Sequence, residues 1–317
     1  MKAFGKLSRR QFLGRSLTLG LTGTAACFTA SSCTSQLSKS KEQTAWQIGC
    51  FTRPWVDYDY RVAFDAIAEA GFKYVGLMTT KSETKLVISQ STSSEEAQQV
   101  GEEARERGLN VAVVYGGNPP IKKSLQAYIV GLKKLIDNCA ACDGKYLMLS
   151  RVGKKERYEV YCKAIAECCD YAEAKGVGVG IKSHGKLNAT GPQCRRTIEM
   201  VGHKNFRLWY DPGNTFYYST GKINPVADAA TVDGLVVGMC VKDYQHVKDY
   251  QHPDNVSLTP GTGLVDFPAV LGRLKQGGFS SGPLIIECLK PGDLKQTLAE
   301  AKKARGFVEQ LTQEVLV

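Results

Sequence analysis

Four short apolar runs in the second half of the chain each end on groups able to do chemistry. They are Ile181-Lys182-Ser183-His184, Tyr210-Asp211-Pro212-Gly213-Asn214, Cys240-Val241-Lys242-Asp243 and Ile286-Glu287-Cys288. Together they offer carboxylates, lysines, a histidine and cysteines, a set suited to holding a divalent cation or to moving a proton. Either use requires that side chains far apart in sequence share one pocket. A parallel β/α barrel does this, because all its strands end at the same mouth.

Each group also has a plain structural reading. Lysine is a poor choice for the end of an apolar strand unless its charge is used, although Lys182 could simply pair with Asp211. Asp211 heads Asp-Pro-Gly-Asn, which in isolation is a turn signature. Cys240, between Met239 and Val241, suits packing as well as ligation. Glu287, between Ile286 and Cys288, requires a partner if it is buried. His184, beside Gly185, belongs on a loop.

The elements that would position these groups recur along the chain. Strands are expected at 47–52, 74–78, 110–115, 145–150, 177–182, 207–211, 235–242 and 284–288, with amphipathic segments near 59–70, 94–107, 121–142, 154–175, 191–203, 222–232, 266–277 and 292–313. Several helices stop on a glycine just before the next strand, as in Ala70-Gly71-Phe72 and Lys175-Gly176-Val177. Eight strands alternating with eight helices predict a single (β/α)8 TIM barrel. A doubly wound sheet is the alternative, but no Gly-x-Gly-x-x-Gly follows the first strand to support it.

The chain begins differently. Ser8-Arg9-Arg10-Gln11-Phe12-Leu13 and an uncharged stretch from Ser16 to Ser32 form a twin-arginine export pattern, too short and too rich in Ser and Thr to be a membrane span. Residues 1–32 read as a signal peptide, 33–45 as a linker and 46–317 as the barrel. The expected location is periplasmic, or membrane-anchored if Cys33 is a lipidated first residue; Cys27 is a rival for that role. The formal charge of +10 falls to +5 without Lys2, Lys6, Arg9, Arg10 and Arg15. The remaining cations form no stripe, which argues against nucleic-acid binding.

Nine cysteines lie beyond residue 33, an odd number, and Cys139-x-x-Cys142 at a helix end reads as packing rather than as a redox or zinc pair. Val241-Lys242-Asp243-Tyr244-Gln245-His246 is repeated at once over 247–252, and the first copy is expected to continue the strand. His246 and His252 read as solvated loop residues rather than a metal clip. Thr259-Pro260-Gly261-Thr262-Gly263 precedes a helix N-capped by Asp266. That carboxylate would repel a phosphate, so the loop is read as structural or as a sugar-hydroxyl contact.

The stretch Ala66–Val75, with Pro260-Gly261-Thr262-Gly263-Leu264-Val265-Asp266-Phe267, Leu274–Phe279 and Leu284-Ile285-Ile286-Glu287, resembles the xylose isomerase-like TIM barrels from about Ile48 to the C-terminus. That superfamily includes sugar isomerases, ketose 3-epimerases and metal-dependent endonucleases. In its epimerases and isomerases a divalent ion is held by a glutamate, an aspartate, a histidine and a glutamate on strands five to eight. The resemblance maps Asp211 and Glu287 onto the aspartate and the last glutamate. It places Lys182 at the first glutamate, Cys240 at the histidine, Gly76 at a frequent second-strand acid and Asn214 at a frequent histidine.

Half of the expected site is therefore rewritten. Counted from sequence, Asp211, Glu287 and a protonated Lys182 sum to −1, so an ammonium could replace the ion. Alternatively Asp211, Glu287, Cys240 and His184 offer a donor set acceptable for zinc, beside the manganese or magnesium more usual for carboxylates. The resemblance implies a sugar isomerase or epimerase acting on a small carbohydrate by abstracting a proton next to a carbonyl; elimination from a keto-sugar is a near neighbour. Lys182, Glu287, Asp211 and His184 are the expected catalytic residues, and Asn214, Lys242, Trp55 and Tyr115 the expected substrate contacts. The alternative is a non-catalytic carbohydrate-binding barrel, with Tyr210, Tyr217 and Tyr218 adding stacking surface.

Overall fold

The computed structural model describes residues 46–117, 124–151, 154–246 and 254–315. The expected signal peptide and linker, Cys33, and the second copy of the repeat with its His252 lie outside the described residues. Eight parallel strands close a barrel: β1 (Trp46–Phe51), β2 (Tyr74–Leu77), β3 (Asn110–Tyr115), β4 (Tyr146–Leu149), β5 (Gly178–Lys182), β6 (Phe206–Tyr210), β7 (Val236–Val241) and β10 (Gly282–Ile286). A short antiparallel ribbon, β8 (Gln245–His246) and β9 (Asp254–Asn255), lies between the last two barrel strands in sequence.

Nine helices are described: α1 (Tyr60–Glu69), α2 (Ser94–Glu106), α3 (Leu125–Ala141), α4 (Tyr158–Ala174), α5 (Gly191–Val201), α6 (Pro212–Tyr218), α7 (Pro225–Ala229), α8 (Phe267–Gln276) and α9 (Leu294–Glu314). Their caps follow local chemistry. Ser93 and Glu96 form a reciprocal capping box on α2, and Asp293 and Gln296 do the same on α9. Asp266 caps α8 as expected, accepting from the Ala269 N–H. Gly176 holds φ at +70°, which lets the chain turn from α4 straight into β5. No described helix is long and apolar enough to cross a membrane.

Two apolar layers hold the barrel. Inside it, Phe51, Met78, Ala112, Val113, Met148, Trp209, Cys240 and Ile285 pack together. The larger cluster fills the space between strands and helices. Cys240 is thus a packing residue of the barrel interior. Gly76 has a steric cause: a Cβ there would collide with the Phe51 ring, so no side chain fits at that second-strand position. Cys139 and Cys142 are buried free thiols, and Cys142 donates to the Cys139 carbonyl oxygen, in keeping with a packing role.

The expected strand ends differ from the observed ones in one instructive way. β6, β7 and β10 stop one residue before Asp211, Lys242 and Glu287, so these polar groups lie just past the ladder, at the mouth. α6 was not expected. Asp211-Pro212-Gly213-Asn214 is not an isolated turn but a helix start, with Asp211 accepting from the Asn214 N–H at 2.9 Å and Pro212 at the first position.

Candidate active site at the barrel mouth

Lys182, Asp211, Lys242 and Glu287 meet at the C-terminal ends of β5, β6, β7 and β10, with exposures of 4%, 0%, 2% and 2%. Lys182 Nζ pairs with Glu287 Oε2 and lies 3.3 Å from Asp211 Oδ2. Lys242 Nζ lies 2.7 Å from Glu287 Oε1 and 3.4 Å from Asp211 Oδ2, and it donates to Asn214 Oδ1 at 3.1 Å. Each ammonium therefore bridges both carboxylates. Asn214 is clamped in turn, its Nδ2 donating to the Ser183 carbonyl oxygen at 2.7 Å.

A third cation comes from the other end of the sequence. Arg53, two residues past β1, places Nη1 2.6 Å from Glu287 Oε1 and 3.1 Å from Cys288 Sγ. The sequence count of −1 is thereby corrected. Three cations face two carboxylates, and the cluster carries +1. Arg53 has the same signature as the other site residues, a charge just past an apolar run, but it lies in the first half of the chain, far from the four strand ends that share it.

Burial and charge act on these groups in different balances. Burial alone would raise the Glu287 carboxyl, but Lys182, Lys242 and Arg53 hold it well below the usual range. Asp211 is raised, because burial outweighs the attraction of Lys242 and Lys182. Its Oδ2 lies within ion-pair distance of both ammoniums yet has no aligned hydrogen bond among the described residues. Burial also disfavours the charge on both lysines, but the facing carboxylates more than compensate, and both are raised. The two carboxylates thus hold Lys182 in its protonated form.

His184 is mostly buried near the cluster and is pushed down to about 3 by burial and by Lys182. Its ring meets Tyr218 edge-on, with centroids 5.7 Å apart, and its Nδ1 has no hydrogen-bond partner among the described residues. Trp55 is a correction: it is fully buried in the turn after β1 and cannot stack on a sugar. Tyr210 is likewise buried, its hydroxyl donating to the Pro225 carbonyl oxygen at 2.7 Å. Tyr115 ends β3 half-buried, and Tyr217 and Tyr218 keep some exposure.

Asp211, Cys240 and Glu287 bring ligand atoms within 4.8 Å of one another, close enough to hold a metal ion. His184 is not part of that group. By spacing the three fit; by charge they do not, because the carboxylate oxygens already face two ammoniums and Arg53. Burial also holds the Cys240 thiol well above its usual range, so it supplies no ready thiolate. A second such group, Asp170, Glu173 and His203, is a surface hydrogen-bond cluster. His203 Nδ1 accepts from the Asn205 N–H at 3.0 Å, which leaves the proton on Nε2, facing Asp170 at 2.9 Å.

The Gly-rich loop proves structural. Asp243 fills it from within, accepting from the N–H groups of Tyr244, Gly261, Gly263 and Val265 at 2.7–3.1 Å. The first copy of the repeat supplies both Lys242 and Asp243, as expected, and His246 is exposed on the ribbon.

Solved structures share this architecture. A xylose isomerase domain protein from Planctomyces limnophilus aligns with a TM-score of 0.67 at 20% identity, over 86% of this chain and 99% of its own. An L-ribulose 3-epimerase aligns with a TM-score of 0.65 at 16% identity, over 85% and 95%. A D-psicose 3-epimerase from Clostridium cellulolyticum H10, solved with D-tagatose, aligns with a TM-score of 0.66 at 14% identity, over 84% and 99%. No curated protein matches the chain. Residues 64–311 match the model of the xylose isomerase-like TIM barrels, and the chain belongs to that family.

Proposed function

We propose that this barrel is an exported enzyme that removes a proton next to the carbonyl of a keto-sugar, giving isomerisation or epimerisation through an enediol. The observation that carries the reading is the pair of buried carboxylates bridged by two ammoniums at the barrel mouth. Lys182 and Lys242, both held protonated, donate to the carbonyl oxygen and stabilise the negative charge that develops there. Glu287, held ionised, fixes the two ammoniums and Arg53. Asp211 is the base, since its raised carboxyl and unaligned Oδ2 suit it to accept the proton and return it to the neighbouring carbon in an isomerisation. Epimerisation requires that the proton come back from the opposite face by a second donor. Asn214 positions Lys242, and neutral His184 lies ready to hydrogen-bond a sugar hydroxyl.

The names of the L-ribulose and D-psicose 3-epimerases among the structural relatives support a sugar substrate. In this reading the two lysines take the place of a manganese, magnesium or zinc ion, because the carboxylates that would bind it are already neutralised. Export rests on Arg9-Arg10 ahead of the uncharged stretch, with residues 1–32 as the signal peptide. Membrane attachment through Cys33 is part of the same proposal. The test is exchange of carbon-bound hydrogen for deuterium in D2O, followed by NMR over a panel of ketohexoses and keto-sugar acids. Wild type should exchange the hydrogen next to the carbonyl, and Asp211→Asn should not. The near-complete burial of the carboxylates favours a second reading, a carbohydrate-binding barrel without turnover. Sugar binding with no exchange anywhere on the panel would establish it and end the enzymatic one.

A further inference from the structure

A cavity of about 350 Å³ opens against the active-site cluster, lined among others by Arg53, Asp57, Ser257, Glu287, Cys288 and Lys290. Arg53 forms its border with the cluster. Only Nη1 of this guanidinium is engaged, on Glu287 and Cys288; among the described residues Nε and Nη2 make no hydrogen bond, and the side chain is 37% exposed. Lys290 lines the same cavity with its ammonium in no ion pair among the described residues, and Asp57 is an acid on the same lining. Behind Arg53, Lys182 and Lys242 balance Asp211 and Glu287, so the guanidinium is itself the positive charge that the cluster leaves unneutralised. A cation with no full partner at a cavity wall attracts an anion, which pairs with it out of bulk water. A free guanidinium edge is shaped to receive a carboxylate through two parallel hydrogen bonds.

We propose that the substrate is a sugar acid, whose carboxylate is held in this cavity by the free edge of Arg53 with Lys290, while its carbonyl end meets Lys182, Lys242 and Asp211. This rests on the keto-sugar reading and narrows its substrate class. Arg53 then has two duties, one nitrogen on Glu287 and the others on the substrate, so that binding the acid also sets the catalytic carboxylate. Ser257 adds a hydroxyl on the cavity wall.

The test uses the full-length chain and two probes of similar size that cannot react, gluconate and the uncharged sorbitol, titrated by calorimetry at low and at physiological salt. Gluconate should bind at least about tenfold more tightly, with the preference shrinking as salt rises. Lys290→Gln, an exposed change that leaves the ion cluster intact, should reduce the preference severalfold. Arg53→Lys, which keeps the charge and loses the fork, should reduce it further. Equal binding of the two probes, or a preference for gluconate unchanged in Lys290→Gln and Arg53→Lys, would overturn the proposal. The outcomes are separable from those of the deuterium experiment. Exchange on neutral ketohexoses with no gluconate preference keeps the enzymatic reading and sinks this one. Selective gluconate binding with no exchange on the panel ends the enzymatic reading and leaves the cavity as a site that binds sugar acids without turning them over.

Discussion

Two buried anionic sites lie side by side at the barrel mouth and are satisfied in opposite ways. Asp243 receives four backbone N–H groups, from Tyr244 and the Gly261–Val265 loop. Asp211 and Glu287 are met chiefly by side-chain cations, Lys182, Lys242 and Arg53. Backbone donors neither titrate nor move without unfolding the loop, so the Asp243 arrangement is a latch. Ammonium groups on flexible stems can turn from a carboxylate to a substrate oxygen, and together with Arg53 they carry a charge surplus that the latch lacks. The contrast separates the carboxylate that builds the mouth from those that can work in it.

The largest test of this contrast removes both ammoniums. Lys182→Met with Lys242→Met should cost about 5 kcal/mol in urea unfolding, because two buried carboxylates then share only Arg53. Asp211 should take up a proton near neutral pH, and calorimetry should show Mn²⁺ affinity that wild type lacks. Lys182→Met alone should cost about 2 kcal/mol, since Lys242 still bridges both acids, so the two losses are not additive. Strict additivity, or tight Mn²⁺ binding by wild type, would mean that the lysines do not substitute for an ion.

Breaking the latch is the next largest. Asp243→Ala strands four inward-facing N–H groups and should destabilise the chain by about 4 kcal/mol. A loss below about 1 kcal/mol would show that water replaces the carboxylate and that the loop is not latched.

The smallest effect concerns pH. His184 is depressed to about 3 in the fold against 6.5 in the unfolded chain, so the unfolded state binds the extra proton between these values. Its contribution to stability is complete above pH 6.5 and is lost as pH falls toward 3. His184→Gln should therefore flatten the acid limb of the stability profile, by about 1–2 kcal/mol at pH 5. Identical slopes for both proteins between pH 6.5 and 5 would show that the ring is solvated in solution.

The fold was legible because its signals are local. Apolar runs, capping residues and glycines at helix ends each announce themselves within a few positions, and all eight barrel strands fall within two residues of expectation at either end. α6 was missed because seven residues are too few to show a helical period, and Asp-Pro-Gly-Asn is shared by turns and helix starts. In the site, Lys182, Asp211 and Glu287 were legible as strand-end polar groups. Lys242 was read as a substrate contact, without its bridging of both acids, and Arg53 was not read at all. Arg53 and Glu287 are 234 positions apart, and nothing short of barrel closure joins them. Trp55 misled for the converse reason, since nearness to a strand end does not tell which way a ring turns.

The nine described cysteines bear on how long the protein lasts. All are free and buried, and burial raises every one of their thiols, so none offers an appreciable thiolate at neutral pH. Oxidants and thiol reagents act on thiolates they can reach, so each sulfur is inert until its part of the barrel opens. The damage, once begun, would compete with refolding, because an opened chain presents many partners for wrong disulfides. In an oxidising compartment, as the export proposed above would give it, the chemical half-life of the molecule becomes the half-life of its closed state.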